Sequence, residues 1–157
     1  MPADPLRVRF ALSDLGLLQF NLGIDCKPVQ STNGAACFDL FAAEGAILTQ
    51  FRPQLISCGI HIEIPAGYEG IIRGRSGMAK KGIILAWGTV DADFRGEVKA
   101  NLINLNHDEV GGGSIKVGDR IAQLAIRPIP NLTFERVSIT DLTSTERGSK
   151  GWGSTGR

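Results

Sequence analysis

Two aspartates, Asp91 and Asp93, stand two apart in the run GTVDADFRG at 88–96. On a strand they would share a face, and paired carboxylates can do acid–base work or hold a metal. Beside a turn, such a pair is equally ordinary solvated turn chemistry. The block GRSGMAKKG at 74–82 puts Arg75, Ser76 and the N–H of Gly77 ahead of a short helical turn, which suits an anion or a plain surface turn. It is not a Walker A loop, because G-x-x-x-x-G-K-[ST] is absent, nor a nucleophile elbow, because Met78 takes the last glycine position. Asp39 is a single acid in the apolar run at 35–43, and Gln123 is an amide among Ile121, Ala122 and Leu124 that needs a partner. The last segment, 143–157, gathers Arg147, Ser149, Lys150, Gly153, Ser154, Thr155 and Arg157 around Trp152. Glycine N–H groups, hydroxyls and cations suit a phosphate and the indole suits a base, yet chain ends of this composition also simply fray.

Short strands must position these groups. Ile56, Cys58, Ile60, Ile62 and Ile64 alternate with polar residues up to Pro65-Ala66-Gly67, and Val98, Ala100 and Leu102 do so against Glu97, Lys99 and Asn101. Ala122, Leu124 and Ile126 form a third alternating run, closed by Pro128 and Pro130, and residues 134–139 give a weaker one. Residues 76–81 predict one helical turn. The stretch 13–23 fits helix or strand, with Ser13 or Asp14 available as a cap. Many short strands with Gly/Pro turns predict an all-β sandwich or barrel.

Composition sets the class. A chain of 157 residues with 43% hydrophobic content is enough for one domain with a core. Seventeen Lys+Arg against 16 Asp+Glu argue against a general nucleic-acid binder. No apolar run reaches the roughly 18–20 residues that span a bilayer, and the N-terminus carries no signal-peptide pattern, so a soluble cytoplasmic or otherwise intracellular protein without a membrane partner is expected. Cys26, Cys37 and Cys58 are an odd set without C-x-x-C, and His61 and His107 are the only histidines, so core thiols are expected rather than a disulfide framework or zinc site.

The order of the polar blocks resembles the homotrimeric dUTPases. AACFDLFAA at 35–43, GRSGMAKKG at 74–82, GTVDADFRGEV at 88–98 continuing to Asn104, GDRIAQL at 118–124 and RGSKGWGSTG at 147–156 match that family's motifs in sequence. The resemblance implies a distorted jelly-roll (β-clip) fold in a homotrimer, with a body over 1–142 and a flexible Gly-rich arm over 143–157 that closes on a site shared between chains. It implies hydrolysis of dUTP to dUMP and pyrophosphate, which limits uracil in DNA and supplies dUMP for thymidylate synthesis.

Residue by residue, the resemblance makes Asp91 the group that activates the attacking water. Arg75, Ser76, Gly77 and Gln123 match phosphate-binding positions; Arg147 would meet the γ-phosphate, with Gly153, Ser154 and Thr155 as further donors. A β-hairpin from Leu85 through Gly88, Thr89 and Val90, returning near Lys99, would receive uracil on backbone groups. Phe94, where the family usually has Tyr, would pack under the deoxyribose and exclude a 2′-hydroxyl; Trp152, where it usually has Phe, would stack on the base. Mg²⁺ would bridge the phosphates, with Asp39 near it through water and no direct protein ligand. Cys37 replaces a frequent glycine of the first motif.

Three rivals are weighed. The related dCTP deaminases need a catalytic Glu at the position of Asn101, so deamination is not expected. A nucleotide-sensing trimer would not require every catalytic position to be filled, and a purely structural β-trimer would not need Arg147 or the glycine-rich tail. Residues 11–34 exceed the usual length of that region; of the twenty glycines, seven between 67 and 96 and four in the last ten residues are expected where backbone approaches or covers the nucleotide, with Gly111 to Gly113 outside that expectation.

Overall fold

The computed structural model describes residues 6–106 and 113–150. Ten strands run in chain order: β1 (Arg9–Leu12), β2 (Phe38–Phe41), β3 (Ala46–Ile47), β4 (Pro53–Glu63), β5 (Tyr68–Arg73), β6 (Ile83–Leu85), β7 (Gly88–Val90), β8 (Glu97–Asn104), β9 (Ser114–Ile115) and β10 (Arg120–Pro128). They form a four-stranded sheet in the order β1-β4-β8-β6, a second in the order β2-β10-β5-β7, and the small pair β3-β9, with antiparallel pairing throughout the ladders. The expected all-β jelly-roll class is the observed one. The three strongest alternating runs became β4, β8 and β10. Their inward side chains, with Leu40, Ile60, Val98, Leu102 and Ile121 fully buried, meet between the two sheets.

The ambiguous stretch 13–23 is a helix, α1 (Asp14–Asn21). Ser13 caps it, its hydroxyl accepting from the N–H of Gly16 at 3.2 Å. Gly16 explains why this helix lies on β4: a Cβ there would fall 1.9 Å from the Gly59 carbonyl oxygen. Gly59 is itself at φ +71 and leaves no room for a side chain beside Cys26 and Ala43. Part of the glycine excess, outside the two sets expected at the nucleotide, therefore packs helix on sheet. The predicted turn of helix at 76–81 is α2 (Ser76–Lys80).

Residues 134–139 do not form the expected strand. From Arg127 to Lys150 every residue is exposed, Phe134 at 98% and Ile139 at 84%, and beyond the end of β10 the only regular element there is a 3-10 turn over Ile139–Asp141. Alternation marks a chain able to bury one face, but a strand also needs a neighbour for its backbone groups, and none is present within this chain's described residues. Among the described residues no helix is long and apolar enough to cross a membrane. Cys26 and Cys58 are buried free thiols as expected, whereas Cys37 is only half-buried.

Candidate active site

Residues from distant blocks meet at one end of the second sheet. Gln123 pairs with Asp39 on β2 and with Arg73 on β5, so these three stand in one row across the sheet. Arg75 leaves β5 just beyond that row. Its Nε donates to Asp39 Oδ1 at 2.9 Å and its Nη1 to the Arg120 carbonyl at 2.9 Å. Ser31 Oγ donates to Asp39 Oδ2 at 2.8 Å, and Arg120 Nη1 approaches that oxygen at 3.4 Å. Asp39 is 6% exposed, so both its oxygens are taken up by the protein. Gln123, half-buried, donates Nε2 to the Gly74 carbonyl at 2.9 Å, which ties the loop before α2 to β10. Ser76 and Gly77 are exposed in the first turn of α2. Among the described residues the cluster sets three guanidinium groups, Arg73, Arg75 and Arg120, against the carboxylate of Asp39, and the Nε of Arg73 is buried without a hydrogen-bond partner. This arrangement suits an anion.

A second group forms a cavity of about 350 Å³ between the sheets. Gly88, Thr89, Val90, Phe94 and Lys99 of the predicted base- and sugar-binding set line it, with Trp87 and Asn101. Leu85 does not: its side chain belongs to the core. The expected hairpin is also redrawn, because β7 pairs with β5 in one sheet whereas β8 pairs with β4 and β6 in the other, and residues 91–96 cross between them. That crossing is a turn, closed by the Phe94 N–H on the Asp91 carbonyl at 3.1 Å, so Asp91 and Asp93 are not strand neighbours on one face. Both are exposed, in the turn between the cavity-lining residues Val90 and Phe94. Gly96 lets the Phe94 ring fold back, since a Cβ there would lie 2.5 Å from its Cζ.

One wall carries charge. Glu97 Oε1 accepts from Ser57 Oγ at 2.7 Å and Oε2 faces Lys99 Nζ at 3.5 Å. Partial burial pushes the Glu97 carboxyl up, but the hydroxyls of Ser57 and Ser13 and the Lys99 ammonium outweigh it and leave the group below the usual carboxylate range.

Among the described residues of one chain the two groups stand apart. Val90 pairs with Gly70, while Arg73 is three residues farther along β5. That step alone covers about 10 Å at a strand rise of about 3.3 Å. Asp91 lies beyond one end of this ladder and Arg75 beyond the other. Arg147 is exposed and bonds its own turn, donating Nε to the Lys150 carbonyl at 3.0 Å. Trp152, Gly153, Ser154 and Thr155 lie outside the described residues, as do His107, Gly111 and Gly112. Among the described residues no group of His, Cys, Asp and Glu is arranged to hold a metal ion.

The model of the dUTPase family matches residues 26–156. The chain belongs to the dUTPase family. A deoxyuridine 5′-triphosphate nucleotidohydrolase of Hydrogenobaculum is 45% identical over 133 residues, covering 82% of this chain and 89% of that protein. One from Candida albicans is 42% identical over 131 residues, covering 83% and 80%. Among solved structures, the dUTPase of Staphylococcus bacteriophage 80alpha with dUpNHpp superposes at a TM-score of 0.81 with 27% identity, covering 99% of this chain and all of that one.

Reasoning from the sequence alone missed three members of this dUTPase-family site. Arg120 sits inside GDRIAQL beside the more conspicuous amide of Gln123; Ser31 and Trp87 carry no motif. Only the pairing of β2 with β10 brings Arg120 to Asp39, 81 positions away.

Proposed function

We propose that this dUTPase-family chain hydrolyses dUTP to dUMP and pyrophosphate. The observation that carries the reading is the cavity walled by Gly88, Thr89, Val90, Phe94 and Lys99, with Asp91 in the turn that joins the lining residues Val90 and Phe94. Asp91 takes a proton from water; the water oxygen bonds to the α-phosphorus; the bond to the bridging oxygen breaks and pyrophosphate leaves. The deoxyribose lies on the Phe94 ring, where a 2′-hydroxyl would find no space. The base enters on backbone groups from Gly88 to Val90 and near Lys99, with Leu85 supporting from the core. A cytosine amino group would leave those groups mispaired, and a thymine methyl would clash. Arg75, Ser76, Gly77 and Gln123 hold phosphate oxygens, and Asp39 orients Arg75. Charge-assisted donors of this kind stabilise the charge that develops on the leaving group.

Because the phosphate cluster and the Asp91 turn lie at opposite ends of β5, we assign a working site to more than one copy of the chain, in a homotrimer. The exposed Phe134, Ile139 and Leu142 support this, since a segment covered by another copy carries such side chains. In this reading residues 1–142 are the body and 143–157 an arm. Arg147, Trp152, Gly153, Ser154 and Thr155 close over the nucleotide and exclude bulk water.

Mg²⁺ is the metal the family resemblance implies. The described residues do not fit a resident metal: no cluster of His, Cys, Asp and Glu could hold one, and the carboxylate of Asp39 is turned to Arg75, Arg120 and Ser31. The ion is therefore written as part of the substrate, carried on the triphosphate with its waters. The test is pyrophosphate release by purified protein with Mg²⁺ from dUTP, dTTP, dCTP and UTP. Release from dUTP with little from the others is expected; equal turnover of all four contradicts the base pocket.

A further inference from the structure

We propose that His61 is a positioning residue for hydrolysis, whose ring anchors the turn that carries Asp91 and Phe94. The inference rests on the dUTPase reading of that turn and adds to it a residue from outside the five motif blocks.

The anchor is a hydrogen bond between His61 Nδ1 and the Arg95 carbonyl oxygen, at 2.9 Å. A carbonyl only accepts, so Nδ1 carries the proton and donates. Arg95 closes the turn on itself: its Nη1 donates to the Ala92 carbonyl at 2.8 Å and to the Phe94 carbonyl at 2.7 Å. The Phe94 N–H in turn donates to the Asp91 carbonyl at 3.1 Å. A continuous set of bonds therefore joins the His61 ring to the backbone of Asp91. Among the described residues, the other side-chain hydrogen bonds of 91–96 stay inside the turn, so His61 supplies its side-chain tether to the sheet.

Strand β4 presents the ring from a rigid base. The backbone of His61 is paired on both sides, with Ala11 of β1 and with Glu97 of β8. Ile60 and Ile62 are buried, so the ring between them points away from the core. Its aim depends on an irregularity in the ladder: the four steps from Ser57 to His61 on β4 face the two steps from Lys99 to Glu97 on β8. A bulge of this kind bends the strand and re-aims a side chain. Gly59, at φ +71, lies inside it, where Gly16 of α1 packs. The ring does not line the nucleotide cavity; it lines a separate hollow of about 300 Å³ with Arg9, Glu63 and Arg95. His61 thus acts through the turn and not on the substrate.

The turn is where a tether matters. Asp91 must hold its carboxylate within hydrogen-bond reach of the attacking water. Its side chain is exposed, so the backbone of the turn sets its place. Phosphates and base are held by other elements in this reading, so a loosened turn costs turnover rather than affinity.

The experiment measures kcat and KM for dUTP, by pyrophosphate release with Mg²⁺, on the wild-type assembly, on His61→Leu and on His61→Asn. Leucine and asparagine share a branched shape, and of the two only asparagine places an N–H where Nδ1 stands. Hydrogen exchange of residues 91–96 is followed by mass spectrometry in the same proteins, and His61→Ala serves should the leucine variant not fold. The leucine variant is expected to lose about tenfold in kcat with KM little changed, and to exchange the 91–96 amides about tenfold faster, the factor for one hydrogen bond. The asparagine variant is expected to restore most of both. A merely structural histidine would lower the unfolding midpoint and leave kcat of the folded enzyme alone. Wild-type kcat in a folded donorless variant, or equal losses with leucine and asparagine, overturns the inference. Wild type that fails to hydrolyse dUTP would overturn the functional reading beneath it, and equal exchange in all the proteins would then overturn the anchor as well.

Discussion

Asp39→Asn separates the two roles open to this carboxylate. In the structure the carboxylate is the counter-charge of two guanidinium groups, 2.9 Å from Arg75 and 3.4 Å from Arg120. Removing one partner of a fully buried pair destabilises by about 3–5 kcal/mol. Here the Arg75 side chain is 27% and the Arg120 side chain 53% exposed, so water screens much of the loss. The expected loss is about 1–2 kcal/mol in urea unfolding. Arg75 keeps its Nη1 bond to the Arg120 carbonyl but loses the anchor on Nε. A misplacement of about 1 Å in a phosphate-holding group lowers kcat by roughly 10–100-fold. Binding of deoxyuridine, which has no phosphate, should stay at the wild-type value. The assay is pyrophosphate release across a Mg²⁺ titration, repeated in an Arg75→Ala background. If Asp39 acts by orienting Arg75, excess Mg²⁺ restores nothing and Asp39→Asn has little further effect once Arg75 is gone. Full restoration by Mg²⁺, or two independent losses that multiply, would refute the positioning role.

Other outcomes follow from the same geometry. Asp91→Asn should keep nucleotide affinity and lose about 10²–10⁴-fold in kcat, measured by pyrophosphate release; normal turnover removes Asp91 as the base. Truncation before Arg147 should leave the thermal unfolding midpoint nearly unchanged and abolish most activity, because residues 127–150 are exposed and do not support the core; unfolding of the truncated chain would make that segment structural. Burial pushes the Cys58 thiol up to about 12, so native alkylation at pH 8 should mark Cys37 and spare Cys58 by mass spectrometry. Glu97 sits below its usual value of 4.5, so its contribution is present above that pH and lost as pH falls through the lowered value. Glu97→Gln should therefore reduce stability near neutrality and flatten the acid limb of the stability–pH curve; an unchanged limb contradicts the Ser57 and Lys99 contacts.

The sheet interior was legible wherever one face of a strand is buried by its own chain. β4, β8 and β10 alternate because their neighbours lie within the molecule. Residues 134–139 carry the same pattern, but periodicity names no partner, and this chain offers none among its described residues. The stretch 13–23 satisfied two periods at once; the Ser13 cap and the contact of Gly16 with Gly59 decide for helix, and the second of these joins residues 43 positions apart. At the site, Arg75, Gln123, Phe94 and Asp91 were legible because motif spacing preserves the local turns that present them. The Asp39–Arg120 contact was not, because it arises from strand pairing between distant segments. Sequence spacing likewise could not reveal that Arg75 and Asp91 lie at opposite ends of one ladder.

That separation gives the most direct test of the central claim, a dUTP-hydrolysing site assembled from different copies of the chain. Arg75→Ala disables the phosphate cluster and Asp91→Asn the nucleoside group, and each variant alone should be nearly inactive. Unfolded together in equal amounts and refolded, they should regain about a quarter of wild-type pyrophosphate release from dUTP, because random head-to-tail assembly pairs intact halves at one site in about four. No recovery in mixed assemblies that contain both variants would place the whole site within one chain and contradict the account.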